Sequence, residues 1–233
     1  MLKPTTDAQS LIDELVEKGR ALPSDQRLIL GLVGDPGAGK STAARLLVEG
    51  VNSKIKDVAI VVPMDGYHRY NAELRQLNLF ELKGVPDSFD AEAFVAMLQS
   101  LRHQCVPNKP GHTAPIGVPA FDRAIEEPEQ NAIQVKVEHK IIVVEGNYLL
   151  LDRPPWNKIP PLLDECWFIE SERAVIEERL LARHIKGGRD AAAARAKMES
   201  TDLPNADLIE ATKCRAQRVI ALAQASHLSG ESC

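Results

Sequence analysis

Eight consecutive residues, Gly34-Asp35-Pro36-Gly37-Ala38-Gly39-Lys40-Ser41, constrain what this chain can fold into more than any other stretch of it. They match the pattern GxxxxGK[ST] at every fixed position. An apolar run from Arg27 to Val33 precedes them, and a helical pattern beginning within Gly39-Lys40-Ser41 and running to about Glu49 follows. Glycines let the backbone turn so that successive amide hydrogens point at one place, and a helix N-terminus adds partial positive charge there. A phosphate chain is what such a nest holds. Lys40 is expected to reach the β- and γ-phosphates as a point charge without a packing role, and Ser41 to hold Mg²⁺. The expected nucleotide contacts are Gly34, Asp35, Pro36, Gly37, Ala38, Gly39, Lys40, Ser41 and Thr42, with ATP and Mg²⁺ as cofactors.

Around this loop the chain alternates short apolar runs with helical periodicity. Leu11, Ile12, Leu15 and Val16 recur at helical spacing between Thr6 and Arg20, with Gly19 fitting a helix end. Val58 to Pro63, Lys140 to Val144 and Cys166 to Ile169 read as further buried strands. Asp90 is a good N-cap for a helix with Phe94, Met97, Leu98 and Leu101 on one face. A helix is expected from about Ser171 to Lys186, ending at Gly187-Gly188, and an alanine-rich one from Asp190. Ala206 to Ile209 reads as a short strand, and a closing helix is expected around Lys213 to Ala225. The proline- and glycine-rich stretch from Cys105 to Pro128 reads as one long loop, and Ile133 to Val137 as an exposed or edge strand. Apolar strands alternating with helices imply an α/β fold of three layers around a mostly parallel sheet. One domain over 1–233 is expected, with a substrate-binding insertion at about 67–134 and a helical lid at about 179–200.

Two acidic residues fall where strands end, the edge at which open α/β sheets bind ligands. Asp65 follows the second strand and Glu145 ends the third. Burying either unpaired would be costly, so each is expected to face a cation, water or Mg²⁺. Asp65 is read as the general base for an acceptor hydroxyl, and Glu145 as orienting a ligand of the metal. Arg179 and Arg183 share a helix face with no acidic residue three or four positions away, a repulsive arrangement unless an anion lies between them. With Arg189 and Arg195 beyond the glycine pair they read as a basic lid over phosphates, while His184 reads as structural or exposed. The base-recognition and switch motifs of GTPases and the signature of transporter ATPases are missing.

Composition narrows the partners. The formal net charge is -5, which leaves no basic field for a nucleic-acid backbone. The four cysteines show no metal-ligand spacing and are expected to be reduced thiols. The first residues lack the apolar run of a signal peptide, and no stretch approaches the ~18 apolar residues of a membrane span. A cytoplasmic protein acting on a small-molecule acceptor is expected, with no membrane and no nucleic acid, and with a homodimer compatible.

Further stretches carry a family resemblance: Pro63-Met64-Asp65-Gly66-Tyr67-His68, Lys83-Gly84-Val85-Pro86-Asp87-Ser88-Phe89-Asp90 and Pro119-Ala120-Phe121-Asp122-Arg123. Val144-Glu145-Gly146-Asn147-Tyr148-Leu149-Leu150 and Asp202-Leu203-Pro204-Asn205-Ala206-Asp207 continue them. From Leu28 to about Val219 the chain resembles the phosphoribulokinase, uridine kinase and pantothenate kinase group. Within it, the resemblance is to the bacterial branch labelled fructose-transport-system or nucleoside kinase-like. The resemblance implies a kinase passing the γ-phosphoryl group of ATP to a hydroxyl of a sugar, nucleoside or similar metabolite. It implies Asp65 as catalytic base and Glu145 as the acidic residue near the metal. Lys40, Arg179 and Arg183 would complete the catalytic set, and Tyr67, His68, Phe89, Arg123 and Tyr148 would line the acceptor pocket. It also implies Arg189 in the lid and Thr212 in the stretch against adenine. The sequence departs from the pattern at Leu82, where the branch carries Arg, and at Arg123, where relatives often carry His. The competing expectation is a nucleotide-binding regulatory P-loop protein that has lost phosphotransfer.

Overall fold

The computed structural model describes residues 6–104 and 114–221. Its centre is a five-stranded sheet made of β1 (Leu28–Val33), β2 (Ala59–Pro63), β5 (Ile141–Glu145), β6 (Glu165–Ile169) and β7 (Arg218–Ile220). The strands run in the order β2-β5-β1-β6-β7, and every pairing is parallel. Parallel strands need crossovers, and helices supply them, so both faces of the sheet are covered. Alternate residues of β1 serve opposite layers. Leu28, Leu30 and Leu32 pack with α1 (Ala8–Ala21) and α2 (Lys40–Lys54), whereas Ile29 and Val33 face the layer containing α4 (Ala91–His103), which follows the short α3 (Asn71–Gln76) in the chain.

Local chemistry sets the helix ends. Asp7 accepts from the amides of Gln9 and Ser10 at the start of α1, and Asp90 from that of Ala93 at the start of α4. Leu11, Ile12, Leu15 and Val16 are buried on one face of α1, as their spacing predicts.

The expected long loop is corrected in its described part. β3 (Ile116–Asp122) and β4 (Glu127–Val135) form a separate antiparallel hairpin, while 105–113 lie outside the described residues. Pro119 is tolerated because it sits where the register shifts, between Val118 and Ala120, so no ladder amide is missed. The hairpin docks at Gly66. A Cβ there would lie 2.0 Å from the Pro119 carbonyl oxygen, so only glycine admits this approach. The edge strand expected at Ile133 to Val137 is the end of that hairpin.

The C-terminal third also differs. Residues 206–209 are not a strand but part of α7 (Leu203–Glu210), with Pro204 in its first turn and Ala206 and Ile209 on the buried side. The closing helix is replaced over its described part by a 3₁₀ turn at Lys213–Arg215 and then β7, which extends the sheet beside β6; residues 222–225 are outside the described residues. The lid region comprises α5 (Arg173–Lys186), the Gly187-Gly188 turn, α6 (Ala191–Lys197) and a π-helical turn, Met198–Asp202, leading into α7. Among the described residues no helix is long and apolar enough to cross a membrane.

Candidate active site

At the carboxyl edge of the sheet lies a cleft of about 2030 Å³ lined by the phosphate-binding loop, β-strand ends, lid and hairpin. Gly37 and Gly39 hold φ of 84° and 97°, and α2 starts immediately after Gly39. These left-handed conformations suit glycine and aim the loop amides inward. Lys40 does have a structural role, contrary to expectation: it is buried, and its Nζ donates to the carbonyls of Gly34 and Asp35, each at 2.9 Å. Burial pushes its pKa down, while the charges of Glu145 and Asp65 hold it up.

Strand order brings the acidic residues to the loop. Because β5 lies between β1 and β2, Glu145 stands beside Leu32 on one side and Pro63 on the other. β2 is therefore not the neighbour of β1, and Glu145 separates the loop from Asp65. Ser41 Oγ donates to Glu145 Oε1 at 2.9 Å. Burial, and then the nearby Asp65 charge, push the Glu145 carboxyl up to about 6. A hydroxyl and a carboxylate at a phosphate nest form an oxygen donor set of the kind Mg²⁺ takes when phosphates and water supply the remaining ligands. These two residues fit that ion. Gly34 and Asp35, expected among the nucleotide contacts, do not line the cleft; Asp35 Oδ1 is buried and unpartnered among the described residues, and burial followed by the Glu210 charge raises its carboxyl to about 6.

Asp65 is the second residue of the 3₁₀ turn Met64–Tyr67 and lines the cleft. Its Oδ2 accepts from Arg123 of the hairpin at 3.2 Å, and its backbone carbonyl accepts from His68 Nδ1 at 2.9 Å. Burial pushes the His68 imidazole below its ordinary range, against the pull of the Asp65 charge, and its ring lies 3.9 Å from Phe89 and 4.8 Å from Phe121, centre to centre. His68, Phe89 and Arg123 thus line one wall. Lys83 joins them, with Nζ donating to Asn71 Oδ1 at 2.9 Å and lying 4.8 Å from the Phe121 ring centre. Neither Lys83 nor Phe121 was singled out from sequence as a site residue, although both fall inside the motif stretches.

Tyr67 and Tyr148 are corrected. Both are buried in the core and neither lines the cleft. The Tyr148 hydroxyl donates to the Gly84 carbonyl at 2.6 Å, and the Tyr67 ring packs on Phe94 at 5.1 Å. They support the wall from behind. Thr212 is likewise buried and off the cleft, with its Oγ1 donating to the Ile209 carbonyl at 2.7 Å.

The lid supplies the opposite wall. Arg179 donates to the Gly37 carbonyl at 3.2 Å, and Arg179, Arg183 and Arg189 all line the cleft. Arg195 is exposed and does not. His184 is buried against Asp202, Nε2 to Oδ2 at 2.6 Å.

Comparison with known proteins agrees with this geometry. No family model matches the chain. A Schizosaccharomyces pombe protein with the provisional name of uridine kinase is 32% identical over 185 residues, 77% of this chain and 76% of that protein. An ATP-dependent kinase-like protein of Aspergillus versicolor is 33% identical over 163 residues, 67% of this chain and 92% of its own length. A crystal structure from Silicibacter sp. TM1040, provisionally described as a fructose transport system kinase, superposes with a TM-score of 0.80 at 32% identity, covering 92% of this chain and 98% of that one. With the loop, the strand order and these relatives in agreement, the chain belongs to the uridine kinase-like family of P-loop ATP-dependent kinases.

Proposed function

We propose that the protein transfers the γ-phosphoryl group of ATP to a hydroxyl of a small metabolite such as a sugar, a nucleoside or a related polyol. The observation that carries this reading is the position of Asp65. Its carboxylate lies on the cleft shared with the phosphate-binding loop, close enough for its charge to act on both Lys40 and Glu145, and faces the hairpin wall through Arg123. An acceptor seated against His68, Phe89 and Phe121 would present a hydroxyl between Asp65 and the terminal phosphate. The proton would pass to the Asp65 carboxylate as the acceptor oxygen bonds to phosphorus, and the bond to the β-phosphate oxygen would break, releasing ADP. Lys40 and the lid arginines supply positive charge around the transferring group, the main form of catalysis in this class. Ser41 and Glu145 would hold Mg²⁺, which adds positive charge at the phosphates when bound. A regulatory nucleotide binder would have no use for a carboxylate facing an aromatic acceptor wall. A small acceptor also fits the acidic net charge, which disfavours nucleic acid, and a cytoplasmic location suits ATP and reduced cysteines.

The test is ATP consumption against a panel of sugars, nucleosides and polyols, run beside Asp65→Asn. Asn keeps the shape but cannot take the proton, so turnover should fall by ~10² to 10⁴ with Mg²⁺–ATP affinity retained. Unchanged turnover would remove Asp65 from catalysis, and loss of nucleotide affinity alone would reassign it to the metal. No turnover with any acceptor, beside intact ATP binding, would favour the regulatory alternative.

A further inference from the structure

The lid arginines do not hold themselves in place. Arg183 lies one helical turn from the end of α5 and Arg189 beyond the Gly187-Gly188 turn, where Gly188 has φ of 93°. Such a turn leaves a long cationic side chain many orientations, and fixing one costs rotamer freedom. Something must direct both groups at the cleft.

One carboxylate reaches both. Asp202 ends the π-helical turn between α6 and α7, and only 12% of its side chain is exposed. Its Oδ1 is 3.6 Å from Arg183 Nη2, and its Oδ2 is 2.6 Å from His184 Nε2. The other nitrogen of that imidazole, Nδ1, faces Arg189 Nη1 at 3.2 Å. A guanidinium can only donate, so Nδ1 accepts, the ring proton sits on Nε2, and Nε2 donates to Asp202. The chain Asp202–His184–Arg189 is therefore polarised in one direction, and Asp202–Arg183 branches from the same carboxylate. Every member lines the cleft. Arg183 also acts electrostatically on the buried Lys40 ammonium, which places its charge in the field of the phosphate-binding loop. Lys197 also lies in the field of Asp202, but its Nζ hydrogen-bonds other groups, donating to the carbonyls of Glu81 and Lys83 and to Thr201 Oγ1. Short π-helical turns inside helices recur at functional sites, and this one carries Asp202 at its end.

We infer that Asp202 is a positioning residue which, directly for Arg183 and through His184 for Arg189, holds both guanidinium groups toward the terminal phosphate of the bound nucleotide. Each arginine keeps further N–H groups for the phosphate, so the carboxylate orients the cations without consuming them. This rests on the kinase reading above, because an arginine aimed at a terminal phosphate presupposes a triphosphate in the cleft.

The experiment is calorimetric binding of Mg²⁺ with a non-hydrolysable ATP analogue (AMP-PNP) and of Mg²⁺ with ADP, which differ by the terminal phosphate. Asp202→Asn should bind ADP within about threefold of the parent and lose roughly tenfold for AMP-PNP, as expected for a charge-assisted contact set out of place. Carried in an Arg183→Ala/Arg189→Ala background, the same substitution should change nothing further. A merely structural role would weaken both nucleotides equally and persist in that background. Equal losses, an additive effect, or tighter AMP-PNP binding would each overturn the inference. Should Asp202→Asn melt far below the parent, His184→Gln tested against Arg189→Ala carries the same cycle, and additivity there overturns it. A parent that binds neither nucleotide sinks the kinase reading and this inference together. A parent that binds both, with Asp202→Asn unaltered, sinks this inference alone.

Discussion

Replacing Glu145 with Gln should stabilise the fold at neutral pH while abolishing turnover. In the folded protein burial and then the charge of Asp65 raise the Glu145 carboxyl from 4.5 to about 6. Lys40, the Ser41 hydroxyl and Arg123 act in the opposite direction, and they do not win. Their attraction is already contained in that value, so the surplus is a net cost of keeping the site charged. A rise of about 1.5 pH units, at ~1.4 kcal/mol for each, is about 2 kcal/mol. Below pH 4.5 the proton is bound in both folded and unfolded chains, and the cost is absent. It grows as pH rises from 4.5 and is fully present above about 7. Gln is neutral throughout and keeps an oxygen that can accept from Ser41. The stability advantage of Glu145→Gln over the parent should therefore widen by about 2 kcal/mol between pH 4.5 and 8, roughly 4–8 °C in Tm for a chain of this size. Thermal denaturation of both proteins followed by circular dichroism across that range measures it. A gap that stays constant with pH, or one that narrows as pH rises, would refute the argument.

Three further outcomes follow from the same geometry. Lys40→Ala should abolish phosphotransfer, and Tm should shift by only a few degrees, because the two loop hydrogen bonds lost, about 1 kcal/mol each, are set against the relief of a buried cation. More than a few per cent residual activity would mean that this loop is not the working site. Arg179→Ala and Arg183→Ala should each lower kcat by ~10²-fold or more with a much smaller loss of nucleotide affinity, read by steady-state kinetics beside calorimetry. Unchanged kcat in both would return them to the role of a solvated basic face. Gly66→Ala should cost about 3 kcal/mol, because the added methyl would meet the Pro119 carbonyl at 2.0 Å and backbone must move. Thermal melts check this, and a Tm within 2 °C of the parent would show that the hairpin does not need that contact.

Much of this protein is written locally. The loop from Gly34 to Ser41 is legible because each residue type answers a backbone or phosphate requirement within eight positions, and no distant partner is needed. Buried parallel strands announce themselves as apolar runs, and Asp90 marks a helix start through a hydrogen bond three residues away. Asp65 and Glu145 could be named as site candidates because residues ending such strands reach the ligand-binding edge. Where local signals were weak, they misled. The short stretch Ala206-Asp207-Leu208-Ile209 reads equally as strand or helix until packing decides, and prolines between Cys105 and Pro128 concealed a hairpin whose register shift accommodates one of them.

Tyr67 and Tyr148 show the limit most clearly. A tyrosine beside a catalytic motif carries the same letters whether its ring faces the ligand or the core, and here both face the core. What the sequence determined by itself was a phosphate nest at a strand-to-helix turn, a layered α/β class and a short set of charged residues at strand ends, since these depend on periodicity and near-neighbour geometry. The tertiary structure alone decided that β5 inserts between β1 and β2, placing Glu145 against Ser41 and between the loop and Asp65. It alone brought Asp202 onto Arg183 and His184. Those contacts join residues 104, 19 and 18 positions apart, and no local pattern encodes them, because strand order and helix docking are settled by burying apolar faces of the whole chain at once.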